Sequence, residues 1–102
     1  MAKLLISPEA KQDLLEIKEY ISNELDSPIA AKNVTDKIIK QISTLSDFPK
    51  IGTMLSSIIN METGYRFLVC GSYTAFYRYI DNTVFVDRIL YGKRDFMRIL
   101  FN

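Results

Sequence analysis

The hydrophobic period of this chain changes once, at Gly64, and that change restricts the fold more than any other feature. Before it, apolar residues recur at helical spacing. After it, β-branched and aromatic residues gather in short runs separated by turn residues. Ser7-Pro8 supplies an N-cap followed by proline at the first helical position, and Glu9 places negative charge where the helix dipole favours it. Ala10, Leu14, Ile17, Ile21 and Leu25 then mark one helical face, with Lys11, Asp13, Glu16, Lys18 and Glu19 mostly elsewhere. Asp26-Ser27-Pro28 repeats the start signal, and Ala31, Val34, Ile38, Ile42 and Leu45 form a second stripe that Ile39 broadens. Pro49 disfavours helical geometry at Phe48, so the second helix is expected to end there. Two amphipathic helices with so short a connection make an antiparallel hairpin.

Residues 3–6 are apolar and fit a buried strand that joins the sheet. Residues 49–63 lack a clean period and read as a partly packed crossing loop with room for a short helix or strand. Tyr65–Cys70, Tyr73–Ile80 and Val84–Tyr91 read as three strands, joined by short turns at Gly71-Ser72 and Asp81-Asn82-Thr83 into an antiparallel meander. Residues 93–102 start charged and end apolar, which fits either a short helix or a strand-like tail. The helical stripes need a partner, and the sheet is the only one available. The expected fold is α+β, β-αα-βββ, with the helical hairpin packed on a small antiparallel sheet. With 102 residues there is material for one core, so residues 1–102 are expected to be a single domain.

Several function classes fall away on composition. An apolar content of 48% excludes a disordered chain. Cys70 is the lone cysteine and histidine is absent, so neither an internal disulfide nor a structural zinc site is expected. The missing histidine also removes the commonest general base near neutral pH. There is no phosphate-cradling glycine run and no nucleophile-elbow serine, so no cofactor is expected. The apolar stretch at residues 4–6 is too short for a signal peptide or a membrane span, and the chain is read as soluble and cytoplasmic.

Net charge is only +1, but every arginine (66, 78, 88, 94 and 98) lies beyond residue 60. Arginine suits bidentate recognition of phosphate or carboxylate. Strand alternation puts Thr74, Phe76 and Arg78 on one face, and Tyr73, Ala75, Tyr77 and Tyr79 on the other. By the same rule Arg88 goes with Val84, Val86 and Leu90, and Tyr91 with Phe85, Asp87 and Ile89. Neither face is purely apolar or polar. Such a surface can stack bases and neutralise phosphates. The plainer alternative, favoured on the residues alone, is a thin sheet with arginine and tyrosine stems lying over its uncovered side. Arg78 and Arg88 also have Asp81 and Asp87 as candidate ion-pair partners, and pairing is the expected role for Arg88.

The element order and several strings resemble the RelE/ParE superfamily of toxin–antitoxin toxins, a group that includes plasmid stabilisation proteins. They are Ser7-Pro8-Glu9-Ala10 with Asp13-Leu14 and Ile17, and Leu45-Ser46-Asp47-Phe48-Pro49. In the sheet they are Gly71-Ser72-Tyr73-Thr74-Ala75-Phe76-Tyr77-Arg78 and Arg88-Ile89-Leu90-Tyr91-Gly92-Lys93-Arg94-Asp95. The resemblance implies a cognate antitoxin whose flexible segment wraps the toxin, exposed apolar grooves to receive it, and a toxin–antitoxin hetero-oligomer. It also implies one of two activities: ribosome-dependent cleavage of mRNA, as in the RelE-like branch, or inhibition of DNA gyrase, as in the ParE-like branch.

RNA-cleaving relatives usually carry an arginine after the central-strand tyrosine, where this chain has Thr74. Several carry a second basic residue two positions after the first in the preceding strand, where this chain has Arg66 and then Leu68. Where some have histidine, it has Tyr91; Arg94 does match. These departures favour the gyrase-directed, ParE-like branch. If the chain is instead a metal-independent RNase, Arg66 and Arg94 would hold the phosphate, with Tyr91 or Lys93 assisting proton transfer. On either reading, Arg78 and Arg98 are expected to contact the target or nucleic acid. A scaffold without toxicity that only binds an antitoxin or nucleic acid is a third reading.

Overall fold

The computed structural model describes residues 1–101. Strand β1 (Lys3–Ile6) leads into helix α1 (Pro8–Glu24) and helix α2 (Pro28–Ser43). A two-residue strand, β2 (Thr53–Met54), precedes β3 (Tyr65–Cys70), β4 (Tyr73–Ile80), β5 (Thr83–Tyr91) and a short helix α3 (Phe96–Phe101). The sheet order is β1-β5-β4-β3-β2, antiparallel except that β1 runs parallel to β5. A β-αα-βββ layout of the α+β class is thus present, with β1 brought beside the last strand by the helical hairpin. Among the described residues, no helix is long and apolar enough to cross a membrane.

Both helix starts form as their sequences dictate. The Ser7 hydroxyl accepts from the Ala10 N–H at 2.9 Å, and the Ser27 hydroxyl accepts from the Ala30 N–H at 3.1 Å. Ser7 Oγ also donates to the Asp87 carbonyl at 2.7 Å, which ties the entrance of α1 to β5. At the other end α2 stops at Ser43, earlier than expected, and continues as a 3₁₀ turn over Thr44–Ser46. Hydroxyls of Ser43 and Thr44 donate to the Ile39 and Gln41 carbonyls there, a back-bonding that loosens helical geometry.

The core between the hairpin and the sheet holds Ala10, Ile17, Ile21, Ala31, Ile38, Ile42 and Leu45 from the helical side and Ala75, Tyr77, Val84, Val86 and Ile89 from the strands. Two stripe residues fall outside it. Leu25 caps α1 and is 65% exposed, and Ile39 is 43% exposed. Asp13, expected on the outer face, is buried.

Both hairpin turns of the meander contain two residues. Gly71 lies at φ 65°, and Asp81 and Asn82 lie at φ 50° and 57°, so Thr83 belongs to β5 rather than to the turn. Two left-handed residues in a two-residue loop match the twist of the flanking strands. Cys70 is buried, and burial pushes its thiol up to about 11. At neutral pH the native thiol is therefore expected to react with a disulfide reagent at least ~10-fold more slowly than in the urea-unfolded chain. Equal rates in the two states would contradict the packing described.

Candidate functional site

A bulge in β5 decides which side chains share a face. Phe76 pairs with Arg88, but the next residue, Tyr77, pairs with Val86, so Asp87 is the extra residue. The insertion reverses the parity of the strand. Val84 and Val86 pack under the helices, as does Ile89, whereas Leu90 lies in the cluster on the opposite side. The single alternation expected for Val84–Tyr91 therefore fails beyond Asp87: Leu90 does not share a face with Val84 and Val86, and Ile89 is separated from Asp87.

The same irregularity aims Arg88 at α1. Its Nε and Nη2 donate to the Asp13 carboxylate, each at 2.8 Å, and the Ile89 N–H donates to Asp13 Oδ2 at 2.9 Å. Arg88 is thus ion-paired, but with Asp13 rather than with Asp81 or Asp87. Its hydrogen bonds to Asp13 hold the guanidinium above the usual arginine range. Asp87 is taken by Arg78, whose Nε and Nη2 donate to it at 2.6 and 3.2 Å, and by the Tyr65 hydroxyl at 2.8 Å. Burial, then the hydrogen bond to Asp87, pushes the Tyr65 phenol up to about 12.

The face of the sheet turned away from the hairpin is apolar at its centre. Leu55, Phe67, Phe76 and Leu90 form a second cluster, against which Ile59, Tyr65 and three side chains of α3 (Phe96, Ile99 and Leu100) pack. Phe96 stacks on Phe76 with centroids 5.6 Å apart, and Phe101 meets Tyr65 edge-on at 5.7 Å. Lys93 lies over the Phe67 ring, its Nζ 4.7 Å from the centroid. Thr74 is 2% exposed.

A groove of about 670 Å³ opens between α1 and the end of β5. Tyr20 from α1, Tyr73 from β4 and Tyr91 from β5 border it, together with Arg94 and Glu16. Tyr73 and Tyr91 meet edge-on at 5.6 Å, and the Arg94 guanidinium lies 5.5 Å from the Tyr91 ring centre. Among the described residues the ion pairs are Lys32–Asp36, Arg78–Asp87, Arg88–Asp13 and Arg98–Asp95, so no described carboxylate is within ion-pairing distance of Arg94. Burial, with Tyr20 and Tyr91 close by, raises the Tyr73 phenol above the usual tyrosine range. The groove can hold an anionic group at Arg94 and apolar or aromatic groups between the rings. Among the described residues, no cluster of three or more metal-ligating side chains is present.

Comparison with known families decides what carries this site. The pattern of the ParE toxin of the type II toxin–antitoxin system parDE matches residues 4–96. The chain belongs to the ParE toxin family. It is therefore a toxin of a type II toxin–antitoxin module, which implies an antitoxin partner. Among solved structures, a chain described as the chromosomal ParDE TA system from P. aeruginosa is similar in fold, with a TM-score of 0.76 at 22% identity over 89% of this chain and 96% of that one. Comparison with curated protein sequences gives no match.

In this ParE-family chain the residues singled out from sequence do not all converge. Tyr91 and Arg94 stand together at the groove. Lys93, on the same turn, points to the other side of the sheet. Arg66 pairs across from Tyr77, four residues along β4 from Tyr73, which is about 13 Å along the strand and two strands from Tyr91. Its Nη1 donates to the carbonyls of Gly52 at 2.9 Å and Lys50 at 3.3 Å. Arg98 is exposed on α3 and lies 3.4 Å from Asp95. Sequence reasoning missed Tyr20 and Glu16 as part of the site. Both lie on the outer half of an amphipathic helix and gave no signal of facing a strand end.

Proposed function

We propose that this toxin arrests growth by binding DNA gyrase, without cutting nucleic acid, and that a cognate antitoxin neutralises it through a flexible segment that folds on its surface. The observation that carries this reading is the apolar centre of the sheet's open face. Attack by a ribose 2′-hydroxyl needs a base and charge stabilisation at one phosphate. Here that face presents Phe67, Phe76 and Leu90 under α3, with Thr74 buried and Arg66 and Arg94 held apart. A binding toxin needs no such constellation. Arg98 on α3 and Arg78 beside Phe85 are the cations we assign to contact with the target.

The alternative is ribosome-dependent cleavage with Arg66 and Arg94 holding the phosphate and Tyr91 or Lys93 assisting proton transfer; the closeness of Tyr91 and Arg94 is what supports it. A purified translation reaction separates the two. With the toxin added, message is expected to stay intact and protein output normal, for the parent and for Arg94→Ala alike. New ends within ribosome-bound codons, lost in Arg94→Ala, would make it an RNase. In induced cells a DNA-damage response should precede any fall in translation, and induction without growth arrest would leave only a binding scaffold.

A further inference from the structure

The groove beside α1 has a composition that gyrase binding does not require. Three tyrosines from three separate elements converge on it, and Tyr20 and Tyr91 are 62% and 57% exposed. Solvent-exposed rings grouped around a concavity, rather than scattered singly, mark a recognition surface. Tyrosine and arginine are also the residue types that concentrate binding energy at interfaces.

The charges select the occupant. Asp13 and Arg88 neutralise each other, which leaves Arg94 on one wall without a partner and Glu16 on the other. Arg94 calls for a carboxylate, and the rings call for an apolar or aromatic neighbour. Nucleic acid fits poorly, because α1 contributes Glu16 to the wall and carries Glu9 near Arg88, where a phosphate chain would be repelled. The volume suits a few side chains of a peptide laid across it, not the flat face of a large folded enzyme. A flexible segment that orders on binding needs such anchoring pockets to offset its lost entropy.

We infer that this groove is the anchor for an antitoxin segment that places an acidic side chain on Arg94 and an adjacent apolar or aromatic side chain among Tyr20, Tyr73 and Tyr91. The inference rests on the reading that an antitoxin neutralises this chain, and does not depend on the cellular target.

The test uses the full-length toxin and its cognate antitoxin in a direct binding titration. Arg94→Glu is expected to weaken the complex by roughly 30-fold or more, and Tyr20→Ala by roughly 10-fold. Lys40→Glu, the same charge reversal on α2, is expected to leave the dissociation constant unchanged. An independent footprint requires no variant: tetranitromethane should modify Tyr20 and Tyr91 in the free toxin and spare both in the complex. Normal binding by Arg94→Glu, or unaltered nitration of Tyr20 and Tyr91 in the complex, overturns the assignment and leaves neutralisation standing. If the antitoxin does not bind the parent toxin, the neutralisation reading and this inference both fall.

Discussion

Replacing Asp13 by alanine is expected to lower the stability of the fold by about 3 kcal/mol, a large part of the 5–15 kcal/mol typical of such a domain. The carboxylate is 7% exposed and accepts three hydrogen bonds, two from the Arg88 guanidinium and one from the Ile89 N–H. It is the polar fastener between α1 and β5 at the point where the bulge interrupts regular pairing. Removing it leaves a partly buried guanidinium and a buried backbone N–H without acceptors, so the cost exceeds the net worth of the bonds lost. Thermal unfolding followed by circular dichroism should show a fall on the order of 15 °C. A loss under about 1 kcal/mol by urea titration would mean that solvent replaces Asp13 freely.

Gly52→Ala is expected to cost a similar amount, about 3 kcal/mol, for a steric reason. A β-carbon at position 52 would stand 2.5 Å from the Tyr77 hydroxyl, 2.7 Å from its ring and 2.8 Å from the Phe67 carbonyl. Tyr77 cannot step aside. It is fully buried, its hydroxyl accepts from the Gly52 N–H at 2.9 Å and donates to the Pro49 carbonyl at 2.8 Å, and this pins the crossing loop to the sheet. A combined Gly52→Ala/Tyr77→Phe chain should regain little, because the ring and the backbone carbonyl still obstruct the methyl. Full recovery of stability in the double variant would place the obstruction at the hydroxyl alone. Gly52 needs no left-handed backbone; close approach is the whole reason for glycine here.

These two positions also show where the sequence is legible. The Ser-Pro starts, the helical stripes and the short turns are local signals, and each element they specify is present, with Thr83 passing from the second turn to β5. Asp13 is not local. Its partner Arg88 lies 75 residues away, and an acid in an amphipathic helix reads as solvent-facing until the strand beneath it is known. The bulge at Asp87 is equally silent, since one inserted residue leaves composition unchanged while reversing the face of all that follows. That reversal is why the strand alternation misplaced Ile89 and Leu90. The short β2 falls within the crossing loop that had room for a short helix or strand, but its position was not legible: Thr53 and Met54 pair with β3 where the Tyr77 hydroxyl and Arg66 hold the preceding loop, and neither residue carries a strand pattern of its own.

Of the site, Tyr91 and Arg94 were visible as part of a basic, glycine-containing string, but their neighbours were not. Tyr20 and Tyr73 reach the same groove from α1 and β4, and only the tertiary fold brings three tyrosines to one place. The apolar centre of the open face was hidden likewise, because Leu55 and α3 supply part of it from outside the meander.

The most direct test of the central claim is supercoiling of relaxed plasmid by purified DNA gyrase in the presence of the purified toxin. The account predicts inhibition that rises with toxin concentration and is relieved by added antitoxin. Undiminished supercoiling at toxin in molar excess over gyrase, by a preparation that still arrests growing cells, would contradict it.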